Sequence, residues 1–544
     1  MKYIILGAGQ AGFMTAKTIR ENDAESDIFV FDTEKCGLYS NVRLPEFVAG
    51  TIPEGKLMLA NEEAFHALNI QTFFGTQVSL IHRNVHQIQI EGGQLFPYDK
   101  LILATGADAF IPQVNDLDLV RYFKLRTLND AKRIIETAET GHKKVLIVGG
   151  GLLGLEAAWA LTQRGCDATV AEFMARLLPK QLNGKQSAVL QEKLSGMGMK
   201  FKLNTSLNSV EKINDGTIRA VFNDGFAMEC SLLLFAAGIR ARTDLAKKAK
   251  LEVGRAIQVN HRLQTSDPDI YAVGDAAEVA HTVTGHRGTV PLAGPARRQA
   301  RTAADHIAGL ESCYRGAAGT SILRIFGLTA AATGVNENQT RTLNLSYDRV
   351  ILSPLSHTSF YPGAKNMTLK LLFAREDGRI LGAQIVGEDG VDKRIDVLAT
   401  AMQAGMKAPA LKELDLAYAP PYSSANDPVN VAGFMAENVL SGKVKQFFYG
   451  DLKRLPRDAQ RLDVRSREEY EKGHAEGFHL LIPLEELRSR LQELNQEKPV
   501  YVMCQSGLRS YLACRILSQN GFDCQHFAGG YRLYTAVRNH WAAE

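Results

Sequence analysis

Two glycine-rich turns constrain this chain more than any other feature. "KYIILGAGQAGFMTAKTIR" reads as strand, tight turn and helix, with Gly7, Gly9 and Gly12 spaced G-x-G-x-x-G. The first glycine permits the turn, the second lets the backbone approach a pyrophosphate, and the third lets helix and strand pack closely. The helix N-terminus then offers N–H groups and partial positive charge to the phosphates. The next strand, "DIFVFD", ends at Asp32, 20 residues after Gly12, where a carboxylate suits a ribose hydroxyl pair. "KKVLIVGGGLLGLEAAWALTQRG" repeats the pattern with Gly149, Gly151 and Gly154, and "DATVAE" ends at Glu172. One such motif is a weak signal. Two complete ones predict two dinucleotides, FAD and a nicotinamide, on an α/β fold. Glu172 argues for NADH because a carboxylate repels a 2′-phosphate, while Arg176 leaves NADPH possible.

Two further stretches point to flavin. "YDKLILATGADAF" runs from a strand into Ala104, Thr105 and Gly106. "SDPDIYAVGDAAEV" puts Gly274 and Asp275 at a strand end, where a carboxylate can accept a hydrogen bond from a ribityl hydroxyl. The order of GAGQAG, ATG, GGGLLG, AAG (ending at Gly238) and YAVGDAAE resembles the two-dinucleotide flavoprotein disulfide reductases, over about residues 1–440. The resemblance implies a Rossmann-like FAD domain (1–110 and 246–318), an NAD(P)H domain (111–245) and an α+β dimerisation domain (319–440). "SHTSFYPGAKNMTLKLLFAREDGRILGAQIVGEDGVDKRIDVLATAMQAGM" and "LAYAPPYSSANDPVN" are similar to the dimerisation domain of coenzyme A disulfide reductases. That similarity implies a homodimer in which this domain reaches the partner's flavin. Tyr361 and Tyr418 match the family's active-site tyrosines, and His357 matches a position near the flavin.

After a polar, basic linker (441–455) the pattern restarts. Residues 456–544 resemble a single rhodanese (sulfurtransferase) domain of α/β class. Strand "PVYVM" leads to Cys504, and "SYLACRILSQNG" is the following helix. Cys504-Gln-Ser-Gly-Leu-Arg509 is thus a six-residue anion cradle. A thiolate accepts sulfane sulfur, and loop N–H groups with a helix N-terminus stabilise its charge. Gly507 lets the loop close and Arg509 braces it. Asp463 and Arg465 in "LDVR" match the family's framework pair, and Cys514 and Cys524 read as core or surface residues.

"FDTEKCGLYSNVRLPEFVAG" holds the one departure that matters most. Aligned without a gap on coenzyme A disulfide reductases, it places Asn41 on the family's asparagine and Val42 where the redox cysteine stands. Arg43 replaces a small residue. Cys36 lies four residues past Asp32, and four extended residues reach at most about 14 Å, too short to bring it to the flavin ring. The segment also resembles the thiol-free NADH–rubredoxin reductase and nitrite-reductase flavoproteins. The family's paired arginines on the first helix read Arg20-Glu21 here, and a lysine after "YAPPYSS" reads Asn426, so coenzyme A binding should be weak.

Composition supports this reading mainly by exclusion. A net charge of +4 over 544 residues, with no long basic run, gives no reason to propose nucleic acid. The seven cysteines are scattered and lack a CxxC pair, so they form neither a disulfide framework nor a metal set. No apolar run approaches the ~20 residues of a membrane helix. The expectation is a cytoplasmic, NADH-dependent FAD oxidoreductase acting on a small persulfide, polysulfide or disulfide, with Cys504 carrying sulfane sulfur. Three alternatives stay open: a coenzyme A disulfide or persulfide reductase; a thiol-free flavin reductase with an independent sulfurtransferase domain; and a redox sensor.

Overall fold

The computed structural model describes residues 1–141, 143–214 and 216–540. The chain divides into two compact units: Met1–Phe173 with Lys200–Gly319, and Met174–Met199 with Thr320–Glu544.

The first unit is built on two parallel five-stranded sheets. One runs in the order Ile270–Ala272, Lys100–Leu103, Lys2–Leu6, Asp27–Asp32, Ile70–Phe74. The short apolar run at residues 3–6 is its central strand, buried throughout. Parallel strands covered on both faces read as continuous apolar runs rather than alternating ones. The other sheet runs Phe123–Lys124, Leu232–Phe235, Lys144–Val148, Asp167–Ala171, Lys200–Lys202. In both, the glycine turn leaves the central strand and opens a helix, Gln10–Asn22 or Leu152–Gln163. An antiparallel pair, Ala107–Ala109 with Ile239–Ala241, carries the crossing between the two sheets, beside an Arg242–Asp108 ion pair at 2.7 Å.

In the second unit a five-stranded antiparallel sheet runs Ser321–Ile325, Leu328–Gly334, Ile380–Gly387, Met367–Ala374, Tyr347–Leu352. The helix Val391–Gln403 packs on it. The helix Gly184–Gly196 lies in this unit, although its sequence falls within the 111–245 stretch. Buried polar bonds explain the placement. The Asn183 N–H donates to Gln384 at 2.9 Å, Gln384 donates back at 2.7 Å, and Lys370 donates to Asn183 at 3.1 Å while pairing with Glu337 at 2.8 Å.

The C-terminal sheet is parallel: Lys445–Phe447, Cys524–Phe527, Val500–Met503, Gln460–Asp463, Leu480–Leu481. The stretch expected to be a linker (441–455) therefore supplies an edge strand and a 3-10 turn, Tyr449–Arg454. Phe447 is the reason. It is buried against Phe478, Tyr501 and Phe527, and that burial fixes the strand. No described helix is long and apolar enough to cross a membrane.

Candidate active site

The glycines of the two turns divide by what a side chain would meet. A Cβ on Gly7 would lie 2.3 Å from the Ala104 carbonyl oxygen, and one on Gly12 would lie 1.8 Å from that of Gly7. At Gly149 and Gly154 the same distances are 2.4 Å, to Ala236 O, and 1.9 Å, to Gly149 O. Gly7 and Gly149 also need φ of +113° and +121°. Gly9 and Gly151 differ: no atom lies within 4 Å of their Cβ positions. The second glycine of each turn thus faces open space at a helix N-terminus, which fits a pyrophosphate. Asp32 accepts from the Ala8 N–H at 2.5 Å, and Glu172 from the Gly150 N–H at 2.6 Å. Both acids are anchored on the second residue of their turn. Arg176 is buried and donates to the Pro179 carbonyl at 3.3 Å.

On the flavin side, Ala104 is buried and the Thr105 hydroxyl donates to the Arg242 carbonyl at 3.1 Å. Gly106, Gly238 and Gly274 all have positive φ. Burial pushes the Asp275 carboxyl up, opposed by Arg126 at 3.5 Å. Arg126 had no motif to mark it. It also donates to the Ala107 carbonyl, and its own carbonyl accepts from Asn41 at 3.2 Å. It therefore ties the Asn41 turn to Asp275. Val42 sits on that turn, Asn41–Arg43, and is 71 % exposed. Arg43 pairs with Glu46 at 2.7 Å. Cys36 stays beside Asp32 and Glu34: burial raises its thiol first, and Glu34 and Asp32 raise it further. Glu156, on the helix after Gly154, was also missed. Burial first, and Glu46 second, push its carboxyl up to about 7.

The segments that carry the predicted tyrosines are joined by a buried arginine. Arg394, 1 % exposed, pairs with Asp427 at 2.9 Å and donates to the carbonyls of Ser356 at 2.8 Å and Tyr422 at 3.3 Å. Ser423 donates to Asp427 at 2.7 Å. This knot joins the segment carrying His357 and Tyr361 to the segment carrying Tyr418. His357 is buried, its ring 5.7 Å from that of Tyr361 and edge-on to it. Tyr361 and Tyr418 are 42 % and 48 % exposed, so their hydroxyls can meet a ligand. Tyr418, Tyr422, Lys393 and Arg394 line a cavity of about 490 Å³.

Cys504 lies at the end of Val500–Met503 and is buried. Its sulfur accepts from the Gly507 N–H at 3.1 Å and donates to the Ser510 hydroxyl at 3.2 Å. Gly507 has φ +109° and precedes the helix Leu508–Gln519. Backbone and helix N-terminus thus converge on one sulfur. Arg509 braces the cradle from outside, through a two-pronged pair with Glu469 at 2.6 and 2.8 Å. That pair holds the Glu469 carboxyl down at about 2. Asp463 and Arg465 form a buried pair at 2.8 Å, and Arg465 also reaches the Gln505 side chain at 3.3 Å. The Cys524 thiol donates to the Cys514 carbonyl at 3.2 Å within the core.

Comparisons with known proteins agree with this geometry. The pyridine nucleotide-disulphide oxidoreductase model matches residues 1–300, its dimerisation domain 321–428, and the rhodanese-like domain 449–536. An NADH oxidase of Methanocaldococcus jannaschii is 34% identical over 454 residues, covering 81% of this chain and 100% of that protein. The crystal structure of reduced Bacillus anthracis CoADR-RHD superposes with a TM-score of 0.96 at 33% identity, over 100% of this chain and 99% of its own. An NAD-dependent persulfide reductase from A. fulgidus gives 0.93 at 34% identity, over 98% of this chain and 100% of its own.

Proposed function

The chain belongs to the pyridine nucleotide-disulphide oxidoreductase family, and from that premise we propose that it uses NADH to reduce a sulfane-sulfur acceptor, a persulfide or polysulfide, with Cys504 as the sulfur carrier. The observation that carries this reading is the complete cradle around Cys504, in the same compact unit as Tyr361 and Tyr418.

FAD would be held by Gly7, Gly9, Gly12, Asp32 and Asp275, and would supply two-electron transfer between nicotinamide and acceptor. The chain's own residues divide the rest of the work. Glu172 takes the adenosine ribose of the nicotinamide dinucleotide, and its charge disfavours a 2′-phosphate there. The Gly507 N–H and the Ser510 hydroxyl hold the Cys504 sulfur. A small persulfide anion that takes up two electrons and two protons returns its thiol and one hydrosulfide ion, and Cys504 carries the sulfane sulfur to it. Tyr361 and Tyr418 are the hydroxyls placed to deliver protons.

Two features separate this reading from a coenzyme A disulfide reductase. Val42 stands where a redox thiol would be, and Cys36 is held beside Asp32 and Glu34. Arg20 donates to five backbone carbonyls, of Leu68, Asp23, Ala24, Ser26 and Asn69, which commits its guanidinium to the fold rather than to a phosphate. We therefore infer direct passage of electrons to the acceptor and weak coenzyme A binding.

Anaerobic oxidation of NADH by a low-molecular-weight persulfide or polysulfide tests the proposal. One hydrosulfide per NADH is expected, with NADH better than NADPH by at least about tenfold in kcat/KM, or ~1.4 kcal/mol of transition-state discrimination. Oxidation supported by oxygen but by no sulfur acceptor would contradict it. Equal use of NADH and NADPH would remove the role given to Glu172.

A further inference from the structure

Residues 353–366 form an excursion between the strands Tyr347–Leu352 and Met367–Ala374. Its base is pinched by a bridge between Leu355 and Asn366, by the Ser356 N–H on the Lys365 carbonyl at 2.7 Å, and by the Met367 N–H on the Pro354 carbonyl at 3.0 Å. His357 and Tyr361 ride on its tip. Both sides of the base touch the sulfurtransferase domain. The Ser353 hydroxyl donates to the Gly529 carbonyl at 3.2 Å, and the Arg532 guanidinium donates to the Asn366 side-chain oxygen.

The turn at residues 529–532 also builds the cradle. The Tyr531 N–H donates to the Cys504 carbonyl at 2.7 Å, and the Arg532 N–H to that of Gln505 at 3.2 Å. Gly529 has φ +91°, and a Cβ there would stand 3.3 Å from Ile351. A Cβ on Gly530 would stand 2.5 Å from the Ser506 nitrogen. Four residues therefore have the Cys504 loop on one side and the base of the Tyr361 excursion on the other.

We propose that Arg532 and Asn366 form a latch that fixes the Cys504 cradle to the Tyr361 excursion, and that both are positioning residues for the exit of sulfane sulfur. The inference rests on the proposed function. The step served is a sulfur transfer. A small-molecule thiolate attacks the outer sulfur of the Cys504 persulfide, a new S–S bond forms as the old one breaks, and Cys504 leaves as thiolate. The resulting small persulfide is then reduced at the expense of NADH. A fixed cradle releases that product in one direction. A cradle held only at Ser353 releases it over a wider range and loses the gain of proximity. Both latch side chains lie at the surface, so removing either leaves the fold in place.

The test compares three assays on the full chain with FAD bound. Asn366→Ala should lower NADH oxidation driven by thiosulfate plus a small thiol about tenfold in kcat, the order expected on losing one charge-assisted hydrogen bond. Sulfur transfer from thiosulfate to cyanide, and NADH oxidation by preformed persulfide, should stay within about twofold of wild type, because each assay bypasses the transfer between cradle and acceptor. Arg532→Ala should behave the same way. Asn366→Asp, which offers Arg532 a carboxylate, should restore the coupled rate. Equal loss in all three assays would mean a structural role only and overturn the latch, as would no loss in any. Wild type that oxidises NADH with preformed persulfide, but never with thiosulfate plus thiol, would overturn sulfur carriage by Cys504 and the latch with it.

Discussion

Cys504→Ser is expected to abolish sulfur transfer from thiosulfate or a persulfide, by on the order of 10³-fold or more, while NADH reduction of the bound FAD proceeds at the wild-type rate. The sulfur is the only atom of the cradle that can form the S–S bond. A serine hydroxyl can take the Gly507 N–H and reach Ser510 much as the thiol does, so the loop keeps its shape. The nucleotide turns lie in the other compact unit and use different backbone groups. Two readouts on one variant, thiocyanate formation and anaerobic bleaching of the flavin by NADH, check both halves. Retained sulfurtransferase activity would show that another residue is the nucleophile.

Arg394→Met is expected to cost about 3–5 kcal/mol, because it leaves Asp427 buried beside a vacated partner. The melting temperature should fall by roughly 10 °C. Burial pushes the Asp427 carboxyl up, but the Val429 N–H, Arg394 and Ser423 together outweigh burial and hold it below its ordinary value. A depressed carboxylate contributes stability above its unfolded pKa of about 3.9 and loses it as pH falls through the folded value. Wild type should therefore keep this contribution down to about pH 4. In the variant that contribution shrinks: Asp427 loses Arg394 but keeps Lys393 at 3.7 Å, the Val429 N–H and Ser423, so its pKa rises toward the unfolded value and less stability is gained above pH 4. Tyr361 and Tyr418 lose their common anchor as well, so turnover with persulfide should fall more than flavin reduction. Thermal melts at pH 4.5 and 7.5 make the comparison. An unchanged melt at both would mean that Arg394 is not the knot.

The parts of this molecule that were legible in the sequence are those whose partners are near in the chain. Gly12 must be glycine because a Cβ there would meet the nearby Gly7 carbonyl, and Gly7 because of its own positive φ, so the spacing shows both. Asp463 and Arg465 pair two residues apart at a strand end. Cys504 and its cradle fit within six residues. What escaped are partnerships made by folding. Arg509 finds Glu469 40 residues away, Arg394 finds Asp427 33 residues away, and Arg126 finds Asp275 149 residues away. Arg394 did leave a trace, since it stands on the buried stripe of its helix with Val391, Ile395 and Leu398. An arginine on an apolar stripe asks for a buried acid. The misread linker has a similar cause. Its lysines and glycine suggested a solvated tether, yet Phe447 is the residue that packs, and one aromatic side chain outweighed the surrounding charge. The move of the helix Gly184–Gly196 into the second unit turns on Asn183, an asparagine that only its three-dimensional partners distinguish from any other.

We infer that no thiol stands between the flavin and the sulfur acceptor. This is tested most directly by anaerobic titration of the FAD-loaded enzyme with NADH or dithionite. Aligned without a gap, Val42 falls at the family's thiol position, and Cys36 is held beside Asp32 and Glu34. Two electrons per FAD should be taken up, with no long-wavelength thiolate-to-flavin charge-transfer band, and Cys36→Ser should give the same result. Uptake of four electrons per FAD, or a charge-transfer band that disappears in Cys36→Ser, would contradict it and return the chain to the thiol-dependent reductases.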